Sequence, residues 1–171
     1  SFAYSEDKFL NAISLPENIS YAVMINASEL INYKDGLENA IEILFSAKKD
    51  SPIDIVRIAT HASDINECRS IAMAIKNLGY QVFLNLMQIS SMDSKLITSI
   101  ANDIESWNCI DVLYFADSFG NMEPELISSV ITSLLSHWSG EIGIHTHDNK
   151  NQALGNSIIA IEHDVTYVDA T

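Results

Sequence analysis

The sequence predicts an α/β fold of the (β/α)8 TIM-barrel type, of which the 171 residues cover about six strands. Short apolar runs begin near residues 21, 53, 81, 110, 141 and 165, and a helical pattern fills each gap. A period of roughly thirty residues is what parallel strands joined by crossover helices require. Polar residues follow nearly every run, as in barrels, whereas an open doubly wound sheet would gather its site at one switch point.

Composition restricts the class of partner. The chain has 23 acidic and 9 basic residues and a net charge of -14, so it should repel nucleic acid and anionic membranes. A small molecule or a protein is the expected partner, and solubility accounts for the acidity itself. The sequence shows neither a signal-peptide pattern nor a long apolar run, which predicts a cytoplasmic location. Cys68 and Cys109 lie far apart and are expected to be reduced, buried thiols.

The first predicted elements are a helix, a strand and a second helix. Residues 5 to 14 begin with a serine and two acids and then place apolar residues at helical spacing, which predicts a capped helix that Pro16 ends. The apolar run from Tyr21 to Ala27 predicts a strand covered on both faces. A loop around Asp35 precedes a helix over roughly Leu37 to Lys49.

The middle of the chain repeats this unit. Ile53 to Ala59 predicts a strand, and Ser63 is a candidate N-cap for the helix that runs from it to Leu78. Gly79 stands where helices end in a left-handed residue. Gln81 to Met87 predicts the next strand, and Ser94 to Trp107 predicts the helix after it.

The remaining elements keep the same period. Ile110 to Ala116 predicts a strand, and Pro124 suits the first turn of a helix that runs to about Trp138. Glu141 to His147 and Val165 to Ala170 predict the last strands, with a helix over about residues 151 to 163 between them. The polar residues at the predicted strand ends are Asn26, Arg57, Thr60, His61, Asn85, Gln88, Asp117, Ser118, His145, His147, Asp169 and Thr171.

The stretch Gly-Ile-His-Thr-His-Asp-Asn, residues 143 to 149, is the candidate functional centre. Side chains alternate along a strand, so Gly143, His145 and His147 share one face. Two imidazoles at this spacing can bind one metal ion, with a carboxylate from elsewhere as a third ligand. A His-x-His pair alone is a weak signal, because ordinary polar residues also occupy strand ends.

Four ordered stretches carry a family resemblance: I-D-I-V-R-I-A-T-H, N-L-M-Q-I-S, Y-F-A-D-S-F-G-N-M-E-P-E and I-G-I-H-T-H-D-N-K-N-Q-A-L-G-N-S, with V-D-A-T at the close. Together they resemble the metal-dependent barrel lyases and synthases, which include hydroxymethylglutaryl-CoA lyase, isopropylmalate and homocitrate synthases and 4-hydroxy-2-oxoacid aldolases. The D-S-F-G and N-L-M-Q-I-S stretches are most similar to the 4-hydroxy-2-oxovalerate aldolase-like branch. The resemblance extends from about residue 20 to residue 171.

The resemblance implies a metal site. In such enzymes two histidines and an aspartate at the end of the first strand bind a divalent cation; His145 and His147 match the histidines, and the aspartate has no counterpart here. The resemblance also implies that residues 1–171 form a single partial barrel catalytic domain, covering the third to eighth strands, with the third ligand outside the chain. Oxygen-rich coordination favours Mg2+ or Mn2+, and the ligand type leaves Zn2+ or Fe2+ open.

Asp117 and Ser118 are candidate catalytic residues on the adjacent strand. The Asp117 carboxylate could act in acid–base chemistry or orient a metal-bound water, or it could cap the turn formed by residues 118 to 120. By the resemblance, Ser118 is similar to the second residue of an Asp-Thr or Asp-Ser pair and would bond a substrate carboxylate.

Arg57 is the third catalytic candidate. It either pairs with a carboxylate inside the barrel, such as Asp117 or an acid outside the chain, or binds substrate directly. Asn85 is a substrate contact or a polar residue of a barrel layer. Asp148 and Asn149 are candidates for binding substrate or for supporting the two histidines. The remaining histidines, expected to lie in a turn or to face solvent, are His61, His137 and His163.

The residues and the resemblance together predict a divalent-metal-dependent aldolase or lyase. It would cleave a carbon–carbon bond of a 2-oxoacid-type substrate through a metal-stabilised enolate. Three alternatives stay open: an acyl-condensing synthase of the same superfamily, an iron-dependent oxygenase with the same ligand set, and a metal-free, non-catalytic barrel. The expected partner is a small-molecule substrate, with neither nucleic acid nor membrane, and homo-oligomerisation is left open.

Overall fold

The computed structural model describes residues 7–169 and contains a single sheet of parallel strands. The strands are β1 (Ala22–Asn26), β2 (Ile55–Thr60), β3 (Gln81–Leu86), β4 (Val112–Asp117), β5 (Glu141–Thr146) and β6 (Tyr167–Val168). Their order in the sheet is the order of the chain. Because the order never reverses, the sheet lacks the switch point of a doubly wound fold. The prediction of a barrel-type α/β fold is confirmed.

Each gap between two strands contains at least one helix. The helices are α1 (Asp7–Ala12), α2 (Ala27–Ile31), α3 (Leu37–Leu44), α4 (Ile65–Asn77), α5 (Ser94–Trp107), α6 (Pro124–Leu135) and α7 (Ala153–Glu162). α5 has the bounds that the sequence predicted, because the Asp93 carboxylate accepts the N–H of Leu96 at its start and Asn108 is left-handed at its end. Within residues 7–169, none of these helices combines the length and apolarity that crossing a membrane needs.

Contacts between distant strands show that the sheet is curved. The guanidinium of Arg57 on β2 lies 2.6 Å from the carboxylate of Asp169, which follows β6, and the rings of Phe83 on β3 and Tyr167 on β6 are 5.3 Å apart. In a flat sheet β2 and β6 would be about 19 Å apart, four strand spacings. The strands therefore curl around a common interior, as in a barrel.

Both faces of the sheet are apolar, but they pack against different partners. The outer face packs against the helices and forms the main core, with Ile58, Leu84 and Phe115 fully buried. The concave face carries a smaller cluster of Phe83, Val112 and Tyr114, with Ile55 and Tyr167 packed against it. This aromatic layer closes the interior beneath the ends of the strands, where the polar residues lie.

The first part of the chain departs from the predictions at three places. β1 lies at an edge of the sheet with Met24 55% exposed, so it is not covered on both faces. Asn26 caps the short helix α2 through the N–H of Ser28, where a loop was predicted. α3 ends at Leu44 because Phe45 adopts an extended conformation, and a separate 3-10 turn covers Lys48–Asp50.

The prediction that Ser63 caps the next helix is wrong. A 3-10 turn over Ala62–Asp64 precedes α4, Asp64 takes the N-cap position, and the Ser63 hydroxyl donates to its carboxylate. Gly79 is left-handed with φ +96°, and Pro124 stands in the first turn of α6, both as predicted. β6 covers two residues, Tyr167–Val168, of the predicted strand. Residues 5, 6, 170 and 171 of the predicted elements, Thr171 among them, lie outside the described residues.

The two cysteines are free and buried, as predicted. Burial raises the pKa of the Cys68 thiol to about 11, and its Sγ donates to the Thr60 hydroxyl at 3.0 Å. A thiol held protonated in the core is a packing residue rather than a nucleophile or a metal ligand.

A polypeptide of residues 1–171 alone is expected to self-associate. β1 and β6 leave the two edges of the described sheet open, and α7 exposes Leu154, Ile158 and Ile161 to 76%, 49% and 57%. These three side chains are spaced by four and three residues and so form one apolar stripe. Sedimentation over a range of concentrations should show species above the 18.9 kDa monomer. Charged residues at the three stripe positions should reduce the association. A monomer that unfolds in one sharp thermal transition would contradict the expected self-association.

Candidate functional site

The two histidines of the central stretch meet at the carboxyl end of β5. His145 is the fifth residue of the strand and faces the concave interior, and His147 follows the strand's last residue, Thr146. Their Nε2 atoms lie 3.1 Å apart, and the rings are inclined at 77°. Two imidazole nitrogens therefore point at the same small volume, from a half-buried side chain and an exposed one.

Asp169 lies behind His145, on the side away from His147. Its Oδ2 is 2.7 Å from Nδ1 of His145 and 2.6 Å from Nη1 of Arg57. Partial burial opposes ionisation of this carboxylate, but the hydrogen bonds from His145 and Arg57 outweigh it and hold the pKa of Asp169 below its usual value. The site thus contains an ionised carboxylate that bridges a histidine and an arginine.

Arg57 is held on three sides. Besides Asp169, its Nη2 donates to Oδ1 of Asn85 at 3.3 Å, and its guanidinium carbon lies 3.7 Å from the centre of the Tyr114 ring. Arg57 does pair with a carboxylate inside the barrel, but the partner is Asp169 rather than the predicted Asp117. Asn85 is buried and bonded to Arg57, in agreement with its interpretation as a polar residue of a barrel layer.

Tyr114 provides the floor of the site. Burial, together with the negative charge of Asp169, raises the pKa of its hydroxyl against the opposing effect of Arg57, so the phenol stays neutral. A Cβ on Gly143 of the neighbouring strand would overlap the Tyr114 ring. Glycine at position 143 therefore leaves the space in which this ring supports Arg57.

Asp117 does not lie in the site. It is three residues beyond Tyr114 on β4 and so points to the helix-covered face, where it is 1% exposed. Its two carboxylate oxygens accept the N–H groups of Asn121 and Met122 at 3.1 and 3.0 Å. The hydrogen bonds support the turn-capping interpretation and contradict the prediction of an acid–base role.

Ser118 connects two loops. Its Oγ accepts the N–H of Gln88 at 2.8 Å, and Gln88 is left-handed with φ 55°. The bond ties the loop after β3 to the end of β4. The contact predicted for Ser118, to a substrate carboxylate, stays a prediction.

Asp148 and Asn149 hold the segment that follows His147. Oδ1 of Asp148 accepts the N–H of Ala153 in the first turn of α7, at 2.9 Å, and Nδ2 of Asn149 donates to the carbonyl of Phe119, at 2.9 Å. Both residues are exposed and both bonds are to backbone atoms. Their geometry agrees with the supporting role, and substrate binding by either stays a prediction.

The other histidines lie away from the pair. The carbonyl of His61 accepts the Thr60 hydroxyl and the N–H of Asp64, at 3.1 and 3.0 Å, so this residue forms a turn as expected. His137 and His163 are exposed, at the ends of α6 and α7.

The residues present fit two ligands of a divalent cation. The two Nε2 atoms converge, and the remaining nitrogen of His145 contacts a carboxylate, which is the usual arrangement behind a metal-binding imidazole. Among residues 7–169 there is no group of three histidine, cysteine or acidic side chains that could hold a metal ion. The described residues therefore offer two candidate ligands and no complete ligand set.

Sequence reasoning missed the part played by Asp169 and Tyr114. Asp169 stands in the V-D-A-T stretch and at a strand end, which marks it as polar and well placed, but its partners are 112 and 24 residues away in the chain. Tyr114 lies within an apolar run, and no pattern in that run distinguishes its inward ring from its neighbours.

Comparison with known proteins gives a consistent family. The HMGL-like family model matches residues 34–171. The 4-hydroxy-2-oxovalerate aldolase of Carboxydothermus hydrogenoformans is 29% identical over 171 residues, which are 99% of this chain and 48% of that protein. The enzyme of the same name from Geobacillus genomosp. 3 is 32% identical over 123 residues, which are 72% of this chain and 36% of that protein. The chain spans about half, or less, of the length of these relatives.

Solved structures share the architecture. The HMG-CoA lyase of Bacillus subtilis superposes with a TM-score of 0.73 at 16% identity, over 98% of this chain and 61% of that one. The carboxyl transferase domain of Rhizobium etli pyruvate carboxylase superposes with a TM-score of 0.75 at 20% identity, over 90% of this chain and 27% of that one. At such identities the likeness shows the fold, and it agrees with a partial TIM barrel.

Proposed function

The chain belongs to the HMGL-like family, and from this premise we propose that residues 1–171 form part of the catalytic domain of a divalent-metal-dependent aldolase. The proposed substrate class is a 4-hydroxy-2-oxoacid, after the activity named for the relatives. The observation that carries the proposal is the convergence of the His145 and His147 Nε2 atoms, 3.1 Å apart at the carboxyl end of a barrel strand.

The metal is proposed to be Mg2+ or Mn2+, with Zn2+ as the next candidate. When bound, such a cation would act as a Lewis acid that stabilises the negative charge developing on a carbonyl oxygen as a carbon–carbon bond breaks. His145 and His147 would hold it through Nε2. A third ligand would come from outside the described residues.

The chain's own residues prepare the site in two ways. Arg57 neutralises the charge of Asp169, since its Nη1 is 2.6 Å from the carboxylate, so that the carboxylate orients His145 without adding a free negative charge near an anionic substrate. The aromatic layer below, with Phe83 and Tyr114 buried, excludes water from the interior beneath the histidines.

Arg57 is not proposed as a primary binding group for the substrate carboxylate. Its Nη1 bonds Asp169, its Nη2 bonds Asn85, and one face of the guanidinium stacks on Tyr114, so three sides of the group are occupied. The Ser118 hydroxyl, whose oxygen accepts one N–H, still has its own proton to donate and is the proposed carboxylate contact.

Removal of metal should abolish cleavage. The full native polypeptide that contains residues 1–171 is incubated with a 4-hydroxy-2-oxoacid, and release of the 2-oxoacid product is followed. Dialysis against a chelator should reduce the rate to background, and Mn2+ or Mg2+ should restore it, because the proposed charge stabilisation depends on the cation. Undiminished cleavage after complete metal removal would contradict the proposal, and absence of both metal and cleavage would favour a non-catalytic barrel.

A further inference from the structure

The proton positions around Asp169 can be deduced from its partners. Oδ2 of Asp169 contacts Nδ1 of His145 at 2.7 Å and Nη1 of Arg57 at 2.6 Å. An ionised carboxylate only accepts hydrogen bonds, and arginine beside it only donates. Nδ1 of His145 must therefore carry a hydrogen. In the neutral ring, Nε2 of His145 is then an unprotonated lone pair.

The unprotonated nitrogen of His145 points toward the second histidine. Nε2 of His145 lies 3.1 Å from Nε2 of His147, in the volume where the proposed cation would be held. The contact with Asp169 therefore directs the lone pair of His145 at that position.

Asp169 is itself held by other strands. β6 is two residues long and lies at the edge of the described sheet, and the backbone N–H of Asp169 donates to the carbonyl of Ile144 on β5 at 3.0 Å. Arg57 reaches it from β2, and that guanidinium is fixed between Asn85 on β3 and the Tyr114 ring on β4. The orientation of the His145 imidazole on β5 thus depends on contacts from β2, β3 and β4 and from the residue that follows β6.

We propose that Asp169 is a positioning residue that holds the Nδ1–H of His145 and so presents Nε2 of that ring as a preformed metal ligand. This inference rests on the proposed function, because it assigns a supporting residue to one of the two proposed ligands. Asp169 does not touch the metal or the substrate in this account. It acts through His145.

The first test requires no metal. Nitrogen-15 NMR of the metal-free protein distinguishes protonated from unprotonated ring nitrogens, and it should show Nδ1–H at His145. In Asp169→Asn the amide can donate to Nδ1 of His145, so the Nε2–H tautomer of His145 should increase. A wild-type His145 that is predominantly Nε2–H would overturn the proposal, whether or not any variant folds.

The second test measures affinity. Titration calorimetry with Mn2+ is carried out on the full native polypeptide. The dissociation constant of Asp169→Asn should be about 10–100-fold larger than that of the wild type, as is usual when a carboxylate behind a histidine ligand is lost. Asp111→Asn is the matched control, because that carboxylate also pairs with a cation, Lys76, but precedes β4 at the opposite end of the sheet. Thermal unfolding shows whether each variant is folded.

The outcomes separate the two proposals. An Asp169→Asn variant that folds, keeps the wild-type tautomer and binds Mn2+ as tightly as Asp111→Asn would overturn the positioning role. The expected tautomer of His145 with no Mn2+ binding by the wild type would support the positioning role and overturn the metal-dependent function. Asp169→Glu, which retains the charge, should recover the Nδ1–H tautomer of His145 at least in part.

Discussion

His145→Ala is expected to abolish binding of the divalent cation and to lower the rate of 2-oxoacid cleavage by about 10³-fold or more. Lewis-acid stabilisation is worth several kcal/mol of the barrier, and each 1.4 kcal/mol or so is a factor of ten in rate. The substitution removes one of two converging nitrogens and leaves His147 Nε2 without its partner. Elemental analysis of protein purified without chelator, together with the cleavage assay, measures both effects.

His163→Ala is the matched control for this substitution. His163 is exposed at the end of α7, and its alanine variant should keep the metal content and the cleavage rate of the wild type. His147→Ala should lose the metal as His145→Ala does. If both site variants retain about one cation per chain, the histidine pair is not the metal site, and a metal found in the protein must be bound elsewhere.

Much of the fold could be predicted because its signal is periodic. A parallel strand buried on both faces is an apolar run, and each crossover helix imposes a fixed minimum spacing between runs. That is why the strands at Ile55, Gln81 and Glu141 begin within two residues of prediction. The edge strand β1 shows the limit of the signal: Val23 and Met24 look equally buried in the sequence, and the open edge of the sheet leaves Met24 exposed.

The same property of buried strands explains the error at Asp117. Both faces of β4 are apolar, so its sequence has no alternation that would tell which side chains point into the barrel. Only the three-dimensional register shows that Tyr114 points inward and Asp117 outward. The histidine pair was predictable despite this ambiguity. Residues two apart in a strand lie on the same face, so His145 and His147 are neighbours whichever face is interior.

The link between Arg57 and Asp169 lay beyond sequence reasoning for a different reason. The two residues are 112 positions apart; Arg57 is on β2 and Asp169 follows β6, and three strands lie between β2 and β6 in the sheet. Their contact follows from the curvature of the whole sheet. That curvature is the sum of small twists between neighbouring strands, so no single sequence motif encodes it. A pairing of Arg57 with a carboxylate was predictable from the cost of burying a charge, and the identity of that carboxylate was not.

Arg57→Met is expected to destabilise the fold by about 3 kcal/mol, the lower end of the range for removing one member of a buried ion pair. The lower end applies because the side chain of Asp169 is 22% exposed, against 11% for Arg57, so water can partly replace the lost partner. The substitution also leaves Oδ1 of Asn85 without its donor and removes the cation above the Tyr114 ring. Urea unfolding of the full native polypeptide measures the change in free energy of unfolding.

Two further variants determine whether the loss comes from the unpaired Asp169 charge. Lys76→Met breaks an ion pair whose side chains are 37% and 34% exposed, and it should cost about 1 kcal/mol or less. In the double variant Arg57→Met with Asp169→Asn no charge is left unpaired, so the double variant should be more stable than Arg57→Met alone. If Arg57→Met costs no more than Lys76→Met, the Arg57–Asp169 pair behaves as a surface pair. The contact between β2 and the residue after β6 would then contribute little to stability, and Arg57 would be a weak anchor for the carboxylate that contacts His145.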